Sequence, residues 1–365
     1  MVSMTDFMVI GAGLSGLLTA RELCLAGASV TVIDRGSVGQ EASWAGGGIL
    51  SPLYPWRYKT AVLALAHWSQ ERYQALCDDL VQSTGIDPEW TRSGMLILDG
   101  VEAGVEAWRT RWHARTEILD AARLPEIQPG LVRENAALWL PDVAQVRNPR
   151  LLQALRRDLL QRQVHLIEQQ AITGFVTDRG RVTGLKAGSR ILDSGAIVIT
   201  AGAWSGQLMA ELGVTIPVHP VKGQMLLLRG APGQLMHMIM ECGRYVIPRR
   251  DGRILVGSTI EDAGFDKRVT PQVGAALQRF AMKLLPALSA CTVEQQWAGL
   301  RPSSPSGVPF IGPIPGYHNV ILNTGHFRNG VVMGPAAARL TADLCVGRVP
   351  ILDPSSYHVE ASRES

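Results

Sequence analysis

Short apolar runs that end in glycine, and longer stretches that are apolar on one side only, alternate along this chain. Phe7 to Ile10 has the length of a buried strand, Leu17 to Ala26 is helix-like, and Gly27 stops that helix. Val30 to Ile33 predicts a second strand and ends at Asp34. Ala61 to Ser83 has helical periodicity with Gly85 behind it, and Met95 to Leu98 predicts a strand after a turn at Gly94. Leu151 to Gln161 predicts an amphipathic helix. Strands are then predicted over Val164–Glu168, Gln170–Val176, Val182–Leu185 and Ala196–Thr200. From Val218 to Val256 the pattern suits an antiparallel sheet, with strands at Gly223–Leu228, Tyr245–Pro248 and Ile254–Val256. Gly274 to Leu285 predicts a helix ended by Pro286, Val293 to Leu300 leads into Arg301 and Pro302, and Val320–Asn323 predicts a strand. The last helix is predicted from Pro335 to about Cys345. No internal repeat or low-complexity segment interrupts this order.

The 365 residues are 46% hydrophobic with 38 glycines, enough to bury a sizeable core and too apolar for a disordered chain. Net charge is +3 and the basic residues are scattered, so no nucleic-acid footprint is visible. Cys24, Cys77, Cys242, Cys291 and Cys345 lie far apart with no C-x-x-C pair, which predicts small buried apolar residues in a reducing compartment. The first apolar stretch is broken by Gly11, Gly13 and Gly16 and carries Arg21 and Glu22. It therefore predicts neither a signal peptide nor a membrane span, and a cytoplasmic location is expected.

The first fifty residues carry the clearest chemistry. Strand, Gly11-Ala-Gly-Leu-Ser-Gly16, helix, strand and Asp34 follow in the order of a dinucleotide-binding unit. The first glycine permits a tight turn, the second lets a pyrophosphate approach the backbone, and the third lets helix and strand pack. The helix N-terminus favours phosphate, and Asp34 can accept from ribose hydroxyls. The loop suits nicotinamide and flavin dinucleotides alike. A second glycine-rich stretch, Gly39 to Leu50, favours an extended flavin, with Ser43 and the backbone of Gly47 to Ile49 lining it; a flexible surface loop is the competing reading. Ala201-Gly-Ala-Trp-Ser205, after a buried strand, allows another close approach to a ligand or simply turns into a helix. The fold class expected is α/β with an α+β substrate lobe. A Rossmann-like cofactor domain spans residues 1–85, 146–217 and 292–365, and a discontinuous antiparallel-sheet substrate domain spans 86–145 and 218–291.

Val9-Ile-Gly-Ala-Gly-Leu-Ser-Gly16, Ile199-Thr-Ala-Gly-Ala-Trp-Ser205, Trp297-Ala-Gly-Leu-Arg-Pro302 and Gly325-His-Phe-Arg-Asn-Gly330 together resemble the D-amino-acid-oxidase-type flavoproteins, most closely their thiamin-type glycine oxidase branch. The resemblance covers almost the whole chain. It implies non-covalent FAD, glycine and small amines such as sarcosine as substrates, O2 reduced to hydrogen peroxide, an imine product for thiamin biosynthesis, and a homotetramer. It places Arg301 and Tyr245 on the substrate carboxylate and the Arg328 backbone near the amine. Ile260 stands where the branch can place a Met near the substrate. Cofactor contacts are implied at Gly11, Gly13, Leu14, Ser15, Gly16, Asp34, Arg35, Ala42, Ser43, Gly47, Gly48 and Ile49. Further contacts are implied at Ile172, Ala201, Gly202 and Trp204, and along His326, Phe327, Arg328, Asn329, Gly330, Val331 and Val332. No side chain is expected to act as an acid or base, because orientation for hydride transfer suffices. Ser51 to Tyr58, rich in aromatics and prolines, suits a lid, core packing or an exposed loop. Two other readings stay open from the residues: a dehydrogenase passing electrons to a quinone or partner subunit, and a non-catalytic dinucleotide-binding module.

Overall fold

A computed structural model describes residues 5–131, 133, 135–193 and 195–360. A six-stranded sheet has the order Phe310–Pro313, Val320–Thr324, Ala196–Ile199, Phe7–Ile10, Val30–Ile33, His165–Ile167, and every pairing but the first is parallel. Phe7–Ile10 and Val30–Ile33 are buried at all positions, so they show apolar runs without alternation. Leu14–Leu25, Asn148–Gln161 and the end of Gly330–Val346 pack on one face through Leu17, Leu155 and Ala338. On the other face lie the three strands Gly174–Asp178, Arg181–Ala187 and Arg190–Asp193 with the short helix Ser205–Ala210. Gly11, Ala201 and Gly325 all follow the carboxyl ends of parallel strands, where open α/β sheets bind ligands.

The second sheet has eight strands. Its order is Thr292–Ser303, His219–Arg229, Arg253–Gly257, Arg244–Pro248, Met238–Glu241, Met95–Ile97, Ala137–Leu140, Glu117–Leu119. Alternation divides its two faces. Leu226, Leu228, Val246, Ile254 and Val256 pack under the helix Pro271–Leu284, while Met225, Tyr245, Ile247 and Leu255 face the first lobe. Thr292–Ser303, assigned from the sequence to the cofactor domain, instead pairs with His219–Arg229 from His219/Ser303 to Arg229/Thr292. Arg301 thus belongs to the antiparallel sheet.

The last helix starts one turn before the expected Pro335, at Gly330. A proline inside a helix leaves the carbonyl four residues earlier without its donor. Here that carbonyl is Val331's, and the buried Tyr73 hydroxyl donates to it at 3.0 Å. One turn back on the helix Thr60–Thr84, Ser69 Oγ accepts the Ala336 N–H at 3.0 Å. Gln170–Val176 is also shorter than predicted, because the strand begins only at Gly174. Of the cysteines, Cys242 departs from expectation by lying exposed in a tight turn with φ 49°.

Removing the Tyr73 hydroxyl would leave a buried carbonyl unsatisfied. Tyr73→Phe is expected to lower the unfolding free energy by about 1–3 kcal/mol, read from the denaturant midpoint of the purified protein.

Candidate active site

A cavity of about 540 Å³ runs from the glycine loop of the parallel sheet to the inner face of the antiparallel sheet. At the loop end, Gly11 has φ 110°, and a Cβ there would lie 2.5 Å from the Thr200 carbonyl oxygen. The helix Leu14–Leu25 opens on the cavity with Gly13 as its N-cap and no acidic residue in its first turn. Ser43 Oγ accepts the Leu14 N–H at 2.8 Å, and the helix end remains suited to phosphate. Asp34 lines the cavity with both oxygens anchored, by the Ala12 N–H at 2.6 Å and the Gly36 N–H at 2.7 Å. A carboxylate has about four acceptor sites, so ribose hydroxyls can still donate to it.

The second glycine-rich stretch is fixed from the opposite lobe. Partly buried Arg249 donates to the Gly47 carbonyl at 2.8 Å, the Val146 carbonyl at 3.0 Å and Gln145 Oε1 at 2.7 Å, and desolvation pushes its pKa down to about 10. Trp297 Nε1 donates to the Ala45 carbonyl at 3.1 Å. At the rim, the Arg35 guanidinium stacks on Trp204 at 3.6 Å, Trp204 packs on Phe265, and Lys267 pairs with Glu41 at 2.9 Å.

The far end holds the cation. Arg301 lines the cavity and is partly buried; its Nη2 donates to Ser258 Oγ at 2.8 Å and its Nη1 to the Thr259 carbonyl at 3.1 Å. A Cβ on Gly223 would lie 2.2 Å from Nη2, so glycine there leaves room for the guanidinium. Burial, and then the like charge of Arg328, pull the Arg301 pKa below its ordinary value, with Tyr245 opposing them. Arg328 lines the same cavity and donates to the Gly243 carbonyl at 3.1 Å. Tyr245 presents its hydroxyl to Ser258 Oγ at 3.3 Å. His326 is buried in the wall with Nε2 unpartnered, and burial pushes its pKa down to about 4. Phe327 also lines the cavity, with φ 47°.

Most of the expected residues converge here: Gly11, Gly13, Leu14, Ser15, Asp34, Arg35, Ala42, Ser43, Gly47, Gly48, Ile49, Ile172, Ala201, Gly202, Trp204, His326, Phe327, Arg328, Gly330 and Val331, with Tyr245 and Arg301. Ile260 does not. It is 58% exposed and outside the cavity lining, because the chain leaves the sheet at Gly257 and turns outward. Gly16, Asn329 and Val332 lie behind the wall, Gly16 because its missing side chain lets the helix meet the Gly11 carbonyl. Ser51 to Tyr58 is packed rather than loose: Tyr54 donates to Asp99 at 2.6 Å and accepts from the Gly243 N–H, and Trp56 donates to Glu102 at 2.7 Å. Arg249, Gly223 and Ser258 were not singled out in the sequence. Only the glycine was a local signal, and it is ambiguous in a strand.

The family model described as FAD dependent oxidoreductase matches residues 6–344. The chain belongs to this family. The cofactor of this family is FAD, and the glycine cradle, anchored carboxylate and phosphate-compatible helix end of the cavity fit that cofactor. The chain is 48% identical to a glycine oxidase of Pseudomonas putida over 97% of this chain and 98% of that protein. It is 33% identical to the Nostoc bifunctional protein ThiO/ThiG over 98% of this chain and 55% of that protein. The crystal structure of glycine oxidase from Geobacillus kaustophilus superposes with a TM-score of 0.91 at 26% identity, covering 97% of this chain and 98% of that one. This enzyme of the FAD-dependent family thus shares its whole architecture with solved relatives.

Gly11→Ala is expected to yield protein without a flavin absorbance band, since the added methyl meets a backbone carbonyl that cannot withdraw. His326 predicts a pH effect on stability. In the unfolded chain its ring protonates near pH 6.5, and in the folded protein only near pH 4. Between those values the unfolded state binds the extra proton, so stability falls as pH drops through that window, by up to about 1.4 kcal/mol per pH unit. His326→Asn should flatten this slope in denaturant midpoints measured at pH 7 and pH 5.

Proposed function

We propose that this enzyme oxidises glycine and related small amines that carry a free carboxylate. The observation that carries the reading is Arg301, a partly buried cavity guanidinium joined by no ion pair to Asp or Glu among the described residues. Its two bonds, to a hydroxyl and a carbonyl, leave three of its five N–H donors, and a carboxylate can take two of them in parallel. Such a grip fixes Cα as well as charge. The Tyr245 hydroxyl, beside the same hydroxyl as the guanidinium, can add a third contact.

FAD, when bound, supplies the acceptor for the hydride that leaves Cα. The chain's own part is to hold Cα and exclude water. His326 is neutral at pH 7 and buried, so it is no source of a proton, and no other side chain at the Arg301 end is needed as an acid or base. Glycine enters as the free amine, and positioning supplies the rate. The N-terminus of Gly330–Val346 adjoins the cavity and favours negative charge developing there. Relatives with glycine oxidase names support the substrate and oxygen as its partner; two-electron reduction of that oxygen gives peroxide. The ThiO/ThiG relative supports use of the imine in thiamin biosynthesis.

Glycine added without air should bleach the flavin band of the holoprotein, and readmitted air should restore it. Losing a charge-assisted contact that bound substrate buries costs about 2–5 kcal/mol, so Arg301→Met should lower kcat/KM for glycine by about 30-fold to about 5,000-fold. Arg301→Lys should recover only part of that, because an ammonium lacks the planar fork. Bleaching by glycine that is as fast in Arg301→Met as in the natural enzyme would overturn the reading.

A further inference from the structure

We propose that Ser258 is a positioning residue: its buried hydroxyl oxygen aims Arg301 and Tyr245 at one point, where the substrate carboxylate binds. The inference rests on the glycine reading above and deepens it. Ser258 is 5% exposed and makes no appearance in the cavity wall. Its Oγ accepts from Arg301 Nη2 at 2.8 Å and from the Tyr245 hydroxyl at 3.3 Å, so one atom joins the two groups. The Tyr245 hydroxyl also faces Met225 Sδ at 3.7 Å, a weak acceptor, and lies within reach of Arg301 itself. Arg301 is likewise confined, with the Thr259 carbonyl on Nη1 and the backbone of Gly223 against Nη2.

The segment carrying Ser258 is itself anchored. The Gln224 N–H donates to Thr259 Oγ1 at 2.9 Å, Gln224 Nε2 donates to Glu261 at 3.0 Å, and Lys222 pairs with Glu261 at 3.5 Å. The Thr259 hydroxyl also donates to Glu261. Lys222 and Gln224 belong to the strand that pairs with Arg301's own strand, at Val221/Arg301. A rigid frame therefore places the serine oxygen, and the serine oxygen places the two groups. Aim of this kind acts mainly on carboxylate affinity, because bound substrate still meets the same flavin cavity.

The test titrates oxidised holoprotein with glycolate, which keeps the carboxylate of glycine and replaces its amine by a hydroxyl, and follows the flavin spectrum. Ser258→Ala should raise the Kd about tenfold, the effect of one charge-assisted hydrogen bond. It should raise the KM for glycine by a similar factor while kcat falls far less, with FAD content retained. Ser258→Thr, which keeps the oxygen, should recover most of the affinity. Because the hydroxyl acts partly through Tyr245, the losses in Ser258→Ala and Tyr245→Phe should sum to more than the loss in the double variant. If the alanine variant cannot hold FAD, Ser258→Cys, similar in size with a weaker acceptor, should shift Kd in the same direction. An unchanged Kd, additive losses, or a fall confined to kcat would overturn the proposal. Glycolate binding that responds to Ser258 in an enzyme that glycine cannot reduce would overturn the substrate assignment and uphold the positioning role.

Discussion

The Arg301 guanidinium is a partly buried cation with no Asp or Glu paired to it among the described residues, and the substrate half of the molecule is built around that fact. An unpaired charge withdrawn partly from water is costly unless its donors are satisfied and a counter-ion arrives. Here a hydroxyl and a carbonyl satisfy two donors, the missing side chain of Gly223 makes the space, and the nearby carboxylate of Glu261 is occupied by Lys222, Gln224 and Thr259. Arg301 also lines the cavity, within reach of whatever enters it. A small carboxylate is the ligand that this arrangement neutralises, whereas a neutral amine would leave the charge as it was.

The cofactor half works with backbone instead of charged side chains. Gly11 lets the chain turn against Thr200, Gly13 caps the helix, and Asp34 is pinned by two N–H groups. The two halves meet because the antiparallel sheet reaches across to hold the first. Arg249 grips the Gly47 carbonyl, Trp297 the Ala45 carbonyl, and Lys267 the Glu41 carboxylate. Flavin-side and substrate-side geometry are therefore set by one continuous frame.

The strand, glycine loop and acid of the first fifty residues were legible because their order is local and each position has its own steric reason. The alternation of the antiparallel strands was legible for the same cause. What depends on distant partners was not. Pro335 reads as a helix start, and only Tyr73 and Ser69, far away in sequence, make it a helix interior. Thr292–Ser303 could pair with either sheet until His219–Arg229 fixes it. Ile260 resembles a pocket residue by position in a motif, but the outward turn after Gly257 exposes it. Ser258 is an ordinary serine until the fold sets it between Arg301 and Tyr245.

Glycinamide has the amine and Cα of glycine but an uncharged amide where glycine has its carboxylate, so it isolates the demand made by the Arg301 cation. The direct measurement is the rate of flavin bleaching, without air, by glycine and by glycinamide at equal concentration. The account predicts that glycinamide is slower by about thirtyfold or more, the loss of a charge-assisted pair. Equal rates would contradict it, since Arg301 would then have no part in holding the substrate.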